Sequence, residues 1–235
     1  MGTKKAYFQV IDGVQRCPNL SLPVFSESLM FRACPGDVLL SSYPMAGGKW
    51  VNCIIQLILK HGEPIATFEQ FARGVRSLDH TNDREWESPL PMRLFSTGMP
   101  AQRDTMNSGS KYVCVVRNPW DSCVSLYRMV ADMSNYRFLD GTFHEFFGSF
   151  LEDSFGFQTY LDVVAEGFAL KDEPNVLFAA YEDLQKDAET VGLGLARFLN
   201  ERYAVGWEGN ASLLGIILEL SSALRMKDVT VATMR

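Results

Sequence analysis

Four short apolar runs punctuate the chain, and helical periodicities fill the intervals between them. Asp37-Val-Leu-Leu-Ser-Ser follows the turn signal Pro35-Gly36, and Met92-Arg-Leu-Phe is a shorter run. Tyr112-Val-Cys-Val-Val and Val176-Leu-Phe-Ala-Ala are continuous, as expected of strands covered on both faces. A first helix is predicted from Trp50 to Lys60. Thr67 and Gln70 have the spacing of a capping box, after which Phe68, Phe71, Val75 and Leu78 repeat at helical intervals. Thr142 and Glu145 have the same spacing, ahead of Phe146, Phe147 and Phe150. Near the end, Leu213, Leu214, Ile217, Leu220 and Leu224 line one face of a long predicted helix. The stretches Leu78–Pro91 and Ala101–Ser110 read as polar loops. Strands alternating with helices imply a parallel sheet flanked by helices, an α/β fold whose ligand edge lies beyond the strands' carboxyl ends.

Composition narrows this picture. The 235 residues suit a single domain with a sizeable core, and 47% hydrophobic against 21% charged residues excludes disorder. A net charge of −6 and a pI near 5.1 argue against a nucleic-acid partner, while leaving room for a local basic pocket around one anion. Cys17, Cys34, Cys53, Cys114 and Cys123 are scattered and odd in number, which favours reduced thiols over a disulfide framework or a metal site. The N-terminus has no signal-peptide core, and the greasiest stretch, Cys53–Leu59, is too short to span a bilayer. These features predict a cytoplasmic protein with no membrane partner and no metal.

The segment Lys111-Tyr-Val-Cys-Val-Val-Arg-Asn-Pro-Trp-Asp-Ser-Cys-Val-Ser-Leu-Tyr carries the most chemistry. A buried strand delivers Arg117 to the ligand edge, Asn118-Pro119 turns the chain, and Asp121 or Ser122 is placed to cap a helix that holds Ser125 near its first turn. An Arg fork, a hydroxyl and a helix N-terminus in one small volume suit a phosphate. The plain alternative is a structural Arg beside a polar helix start.

The string from Arg117 to Tyr127, RNPWDSCVSLY, resembles the motif RNPxDxxVSxY of the cytosolic sulfotransferases. Phe178-Ala-Ala-Tyr-Glu-Asp-Leu with the later Arg197-Phe-Leu-Asn is similar to the family's FYEDL…FL element. Pro35-Gly-Asp-Val and Ser42-Tyr-Pro-Met-Ala-Gly-Gly-Lys-Trp resemble its PGDV…YPKSGTTW. The co-linear matches span about residues 31–227. The resemblance implies a single-domain, three-layer P-loop-like fold over residues 1–235, and 3′-phosphoadenosine 5′-phosphosulfate (PAPS) as co-substrate with PAP as its desulfated product. It further implies a small apolar acceptor bearing a hydroxyl or amine, such as a phenol, steroid or alcohol. By the same resemblance Arg117 and Ser125 hold the 3′-phosphate, Tyr181 and Trp50 meet the base, Gly47, Gly48 and Lys49 form the phosphate loop, and Ser221 contacts the nucleotide.

Departures from the family pattern fall on the reactive groups. The family's loop Lys is Met45 here, followed by Ala46, and its general-base His is Gly98, preceded by Ser96 in place of Lys. Lys49 is the loop's remaining cation. Its surroundings do not make a nucleotide-kinase Walker loop, because Tyr43 and Trp50 occupy positions that need Gly and Ser or Thr. Among the histidines, His61 and His144 read as structural or surface groups, which leaves His80 as the substitute base. Ala223 stands for a family Phe, and the chain reaches Arg235 without the RKGxxGDW loop, the pattern of a truncated isoform or an internal deletion. Val229-Thr-Val-Ala is faintly like the family's FTVA tail. Phe143, Phe146, Phe147, Phe150, Phe155 and Phe157 either line an acceptor pocket or, at helical spacing, form core. Two functional readings therefore stand: a PAPS-dependent transferase, and a catalytically impaired nucleotide-binding relative.

Overall fold

The computed structural model describes residues 4–11, 14–18, 20–80, 86–152, 158–208, 211–222, 225, 226 and 229. The strands are β1 (Gln9–Ile11), β2 (Val14–Arg16), β3 (Val38–Ser42), β4 (Arg76–Ser77), β5 (Leu94–Thr97), β6 (Lys111–Val116) and β7 (Val176–Ala180). The helices are α1 (Leu22–Met30), α2 (Gly48–Leu59), α3 (Phe68–Arg73), α4 (Pro119–Asp132), α5 (Phe143–Leu151), α6 (Tyr160–Ala169), α7 (Tyr181–Lys186), α8 (Ala188–Leu199), α9 (Glu201–Glu208) and α10 (Ala211–Leu220). β1 and β2 form a small antiparallel ribbon. The other strands make a parallel sheet in the order β4-β5-β3-β6-β7.

The continuous apolar runs are explained by burial on both faces. Val38 and Leu40 of β3, with Val113 and Val115 of β6, join a core beneath α2, α8 and α10. Their alternates Leu39, Tyr112 and Cys114 join a second core on the opposite face, together with Phe95 and Val176. α2 is buried from Val51 to Leu59, including the polar Asn52 and Gln56, so it is a central rather than an amphipathic helix. Because β3 is flanked by β5 on one side and β6 on the other, the strand order reverses at β3 and opens a crevice at its carboxyl end.

Several elements differ from the sequence expectation. α3 stops at Arg73, so Val75 and Leu78 fall outside it. The Phe71 carbonyl that a longer helix would use accepts instead the buried Gln56 Nε2–H at 3.0 Å. Beyond Gly74 the chain becomes β4, with Arg76 paired to Phe95 and Ser77 to Ser96. This pairing draws the next strand two residues later than expected, to Leu94–Thr97. Thr67 caps α3 through the Gln70 N–H, but the Gln70 side chain accepts from Ala66 rather than completing the box. The box at Thr142 and Glu145 is complete. α10 ends at Leu220, and Leu224, Phe155, Phe157, Ala223 and Thr230–Ala232 lie outside the described residues. No helix among the described residues is long and apolar enough to cross a membrane.

Candidate nucleotide and acceptor site

The crevice beside β3 is built by two loops that leave the carboxyl ends of β3 and β6. In the first, Tyr43 to Gly47 turns into α2 with Ala46 N–H bonded to the Tyr43 carbonyl at 3.0 Å. Gly47 occupies φ +104° as the N-terminal flank of α2, and a Cβ there would lie 2.6 Å from Tyr181 Cδ2. A Cβ on Gly48 would lie 2.7 Å from the Ser42 Cβ, so both glycines permit close approach. The Gly48 and Lys49 amides open α2 without a backbone acceptor among the described residues, while Trp50 N–H already bonds the Gly47 carbonyl at 3.0 Å, and such open first-turn amides make a favourable anion seat.

In the second loop Asn118, rather than Asp121 or Ser122, caps α4. Its side chain accepts the Trp120 N–H at 2.9 Å, and Pro119 opens the helix. Ser125 consequently lies in the second turn of α4, not the first, because the cap falls earlier than expected. The Arg117 guanidinium still reaches it: Nη1 donates to Ser125 Oγ at 3.1 Å and to the Met45 carbonyl at 3.2 Å. Glu182 accepts the Asn118 N–H at 2.8 Å, and the Tyr160 hydroxyl bonds both the N–H and the carbonyl of Arg117. The guanidinium lies over the Tyr181 ring, 4.4 Å from its centroid, and Tyr181 meets Trp50 edge-on at 5.5 Å.

Gly47, Arg117, Ser125, Tyr181 and Trp50 are thus brought together around one crevice. Two buried donors in it, Arg117 Nε and Trp50 Nε1, have no partner among the described residues. Unpaired buried donors carry a desolvation cost, and a phosphorylated nucleotide would supply the missing acceptors. Ser221 stands apart. It is buried after α10, its hydroxyl donates to the Leu218 carbonyl at 3.3 Å, and among the described residues no hydrogen bond joins it to Arg117, Trp50 or Tyr181.

A cavity of about 560 Å³ opens next to this crevice. Met45, Gly48 and Lys49 form one wall, Phe68, Phe71 and Val75 an apolar wall, and Asp79, His80, Thr97 and Gly98 a polar one. Lys49 is exposed overall and forms no ion pair among the described residues, while partial desolvation lowers its pKa from the ordinary lysine value. Asp79 is buried, with 7% of its surface exposed. Its carboxylate accepts the Gly98 N–H, and the Thr97 hydroxyl at 2.9 Å. Desolvation raises its pKa, opposed by those hydrogen bonds and by nearby His80. Sequence reading overlooked Asp79, although a polar residue just past a parallel strand's carboxyl end is a usable signal. β4 is simply too short to show a pattern.

The other candidates fall elsewhere. Phe146 and Phe150 are core, packed with Tyr43, Tyr160 and Leu126, so the pocket wall is supplied by α3 instead. His61 packs against Tyr203, and His144 is exposed on α5. No cluster of three metal-ligating side chains occurs among the described residues.

The sulfotransferase domain pattern matches residues 35–234. The chain belongs to the sulfotransferase family. Human sulfotransferase 4A1 is 28% identical over 196 residues, covering 78% of this chain and 66% of the relative. Guinea-pig (Cavia porcellus) sulfotransferase 1E1 is 26% identical over 188 residues, covering 73% and 61%. This sulfotransferase-family chain therefore spans less than two thirds of the length of these relatives. Its fold is that of mouse sulfotransferase SULT7A1, which was crystallised with PAP (TM-score 0.71, 23% identity, 94% and 76% of the two chains). Retinol dehydratase, crystallised with androsterone and the inactive cofactor PAP, shares the fold as well (TM-score 0.68, 17% identity, 94% and 74%).

Proposed function

We propose that this chain binds PAPS in the Arg117 crevice and transfers its sulfuryl group to the hydroxyl or amine of a small apolar acceptor in the adjoining cavity. The observation that carries the reading is the convergence of Arg117 and Ser125 with Trp50 and Tyr181, at an edge that opens directly onto that cavity. Arg117 and Ser125 hold the 3′-phosphate, and Trp50 and Tyr181 meet the adenine. Gly47, Gly48 and the first amides of α2 hold the 5′-phosphate side. PAPS supplies an activated sulfur whose bridging oxygen leaves as phosphate. Lys49, which stands on the cavity wall and forms no ion pair among the described residues, stabilises the charge that develops on that oxygen. Phe68, Phe71 and Val75 exclude water and select an apolar acceptor. His80 stands on the polar wall, where Gly98 leaves the family's base position without a side chain. The reaction belongs in the cytoplasm, and no metal takes part.

A second reading is a catalytically impaired nucleotide-binding relative, favoured by Met45 and Gly98 at the two reactive positions. Calorimetric titration with PAP and transfer from labelled PAPS to a panel of phenols separate the two. Transfer above background supports the first reading, and binding without turnover supports the second. Arg117→Met should weaken PAP binding about 10–100-fold, the value of one or two charge-assisted hydrogen bonds. Unchanged affinity would sink both readings of the crevice.

A further inference from the structure

The polar wall of the cavity holds a group that the transfer scheme leaves unused. Asp79 lies two residues past the end of β4, and the β4–β5 pairing sets it beside the end of β5, where its carboxylate accepts from the Thr97 hydroxyl and the Gly98 N–H. It lines the same cavity as Lys49 and the apolar α3 wall. Gly98 brings no side chain to this spot, and the carboxylate that holds its amide is a proton acceptor fixed in place there. His80, by contrast, is exposed; its backbone N–H bonds the Ser77 carbonyl at 3.4 Å, and no hydrogen bond among the described residues fixes its ring.

We propose that Asp79 is the catalytic base of acceptor activation, taking the place that Gly98 leaves empty. The inference rests on the transferase reading. As the acceptor oxygen bonds to sulfur, its proton moves to an Asp79 carboxylate oxygen. The S–O bond to the 5′-phosphate breaks, its electron pair remains on the phosphate oxygen opposite Lys49, and Asp79 later yields the proton to water. The two hydrogen bonds hold the carboxylate in one orientation and leave further lone pairs on its oxygens. Burial raises the carboxyl pKa above the ordinary aspartate value, which makes it a stronger base than a solvated carboxylate. Among the described residues, the titratable groups that share the cavity with Asp79 are Lys49 and Tyr43 on the α2 side and His80 beside it.

The test uses the full chain with labelled PAPS and 4-nitrophenol. Asp79→Asn should lower kcat about 10²–10⁴-fold. It should also abolish the rise of kcat with pH, since the base must be ionised, while PAP affinity stays within about twofold. His80→Gln should keep that pH limb. Thr97→Val removes a hydrogen bond that stabilises the carboxylate, so it should move the limb to higher pH and tests the idea even if Asp79→Asn fails to fold.

A readout without turnover is the ionisation of 4-nitrophenol bound with PAP, followed by absorbance. Repulsion from an ionised Asp79 should hold its pKa about one unit higher in the wild type than in Asp79→Asn. A wild-type pH profile in Asp79→Asn, an unmoved limb in Thr97→Val, or equal nitrophenol ionisation in wild type and Asp79→Asn overturns the proposal. No transfer by the wild type, with the ionisation difference present, overturns the transferase reading instead.

Discussion

Replacing Gly47 with alanine tests whether the first loop and Tyr181 form one packed unit. At φ +104° and ψ 0° an L-residue carries about 1–3 kcal/mol of backbone strain. The new methyl would also stand 2.6 Å from Tyr181 Cδ2 and 3.4 Å from Cε2. A ring edge offers no flexible end to bend away, so overpacking adds about 1–3 kcal/mol. The combined cost, about 2–6 kcal/mol, is a large part of the roughly 5–15 kcal/mol that holds an ordinary domain together. If the ring swings aside to relieve the contact, it leaves the Arg117 guanidinium and the edge of Trp50. Urea unfolding of wild type, Gly47→Ala, Tyr181→Ala and the double variant supplies the cycle. The expected coupling is about 1–3 kcal/mol, the whole overpacking term, because removing the ring leaves alanine with only the backbone term. Equal cost of Gly47→Ala with and without the Tyr181 ring would refute the packing argument, and no cost at all would refute the strain argument as well.

Two further outcomes follow from other parts of the fold. Arg93→Met should cost about 2–3 kcal/mol in urea unfolding. It strips a two-pronged ion pair, 2.7 and 2.8 Å, from an Asp37 that is only 2% exposed, but Arg93 is half exposed and the full cost of a buried pair does not apply. Burial pushes the Cys53, Cys114 and Cys123 thiols up to about 11, so at neutral pH iodoacetamide should label exposed Cys34 well ahead of them. These three thiols resist ionisation in the folded state more than in the unfolded one. Stability should therefore fall as pH rises from about 9 toward 11, and a flat urea midpoint across that range would contradict the burial.

The sheet's central strands and the Arg117 crevice were legible because their signals are local. Val113 and Cys114 sit in a run that only a doubly covered strand needs, and the Arg117, Ser125 and Trp50 spacings lie within short loops and turns. α3 shows where local signal fails. Its stripe of Phe68, Phe71, Val75 and Leu78 continues past the helix, and Gln56 of another helix decides the end by taking the Phe71 carbonyl. That interruption turns Arg76 and Ser77 into a strand and carries Asp79 to Gly98. The assignment of the aromatics was likewise non-local, with Phe146 and Phe150 drawn into core and Phe68 and Phe71 into the cavity wall. By itself, the sequence determined the strand–helix alternation, the anion loop and the absence of a His at position 98. Tertiary structure alone decided which groups face that absence. Residues far apart in the chain meet there only through sheet pairing and a side-chain hydrogen bond, neither of which leaves a periodic mark in the sequence.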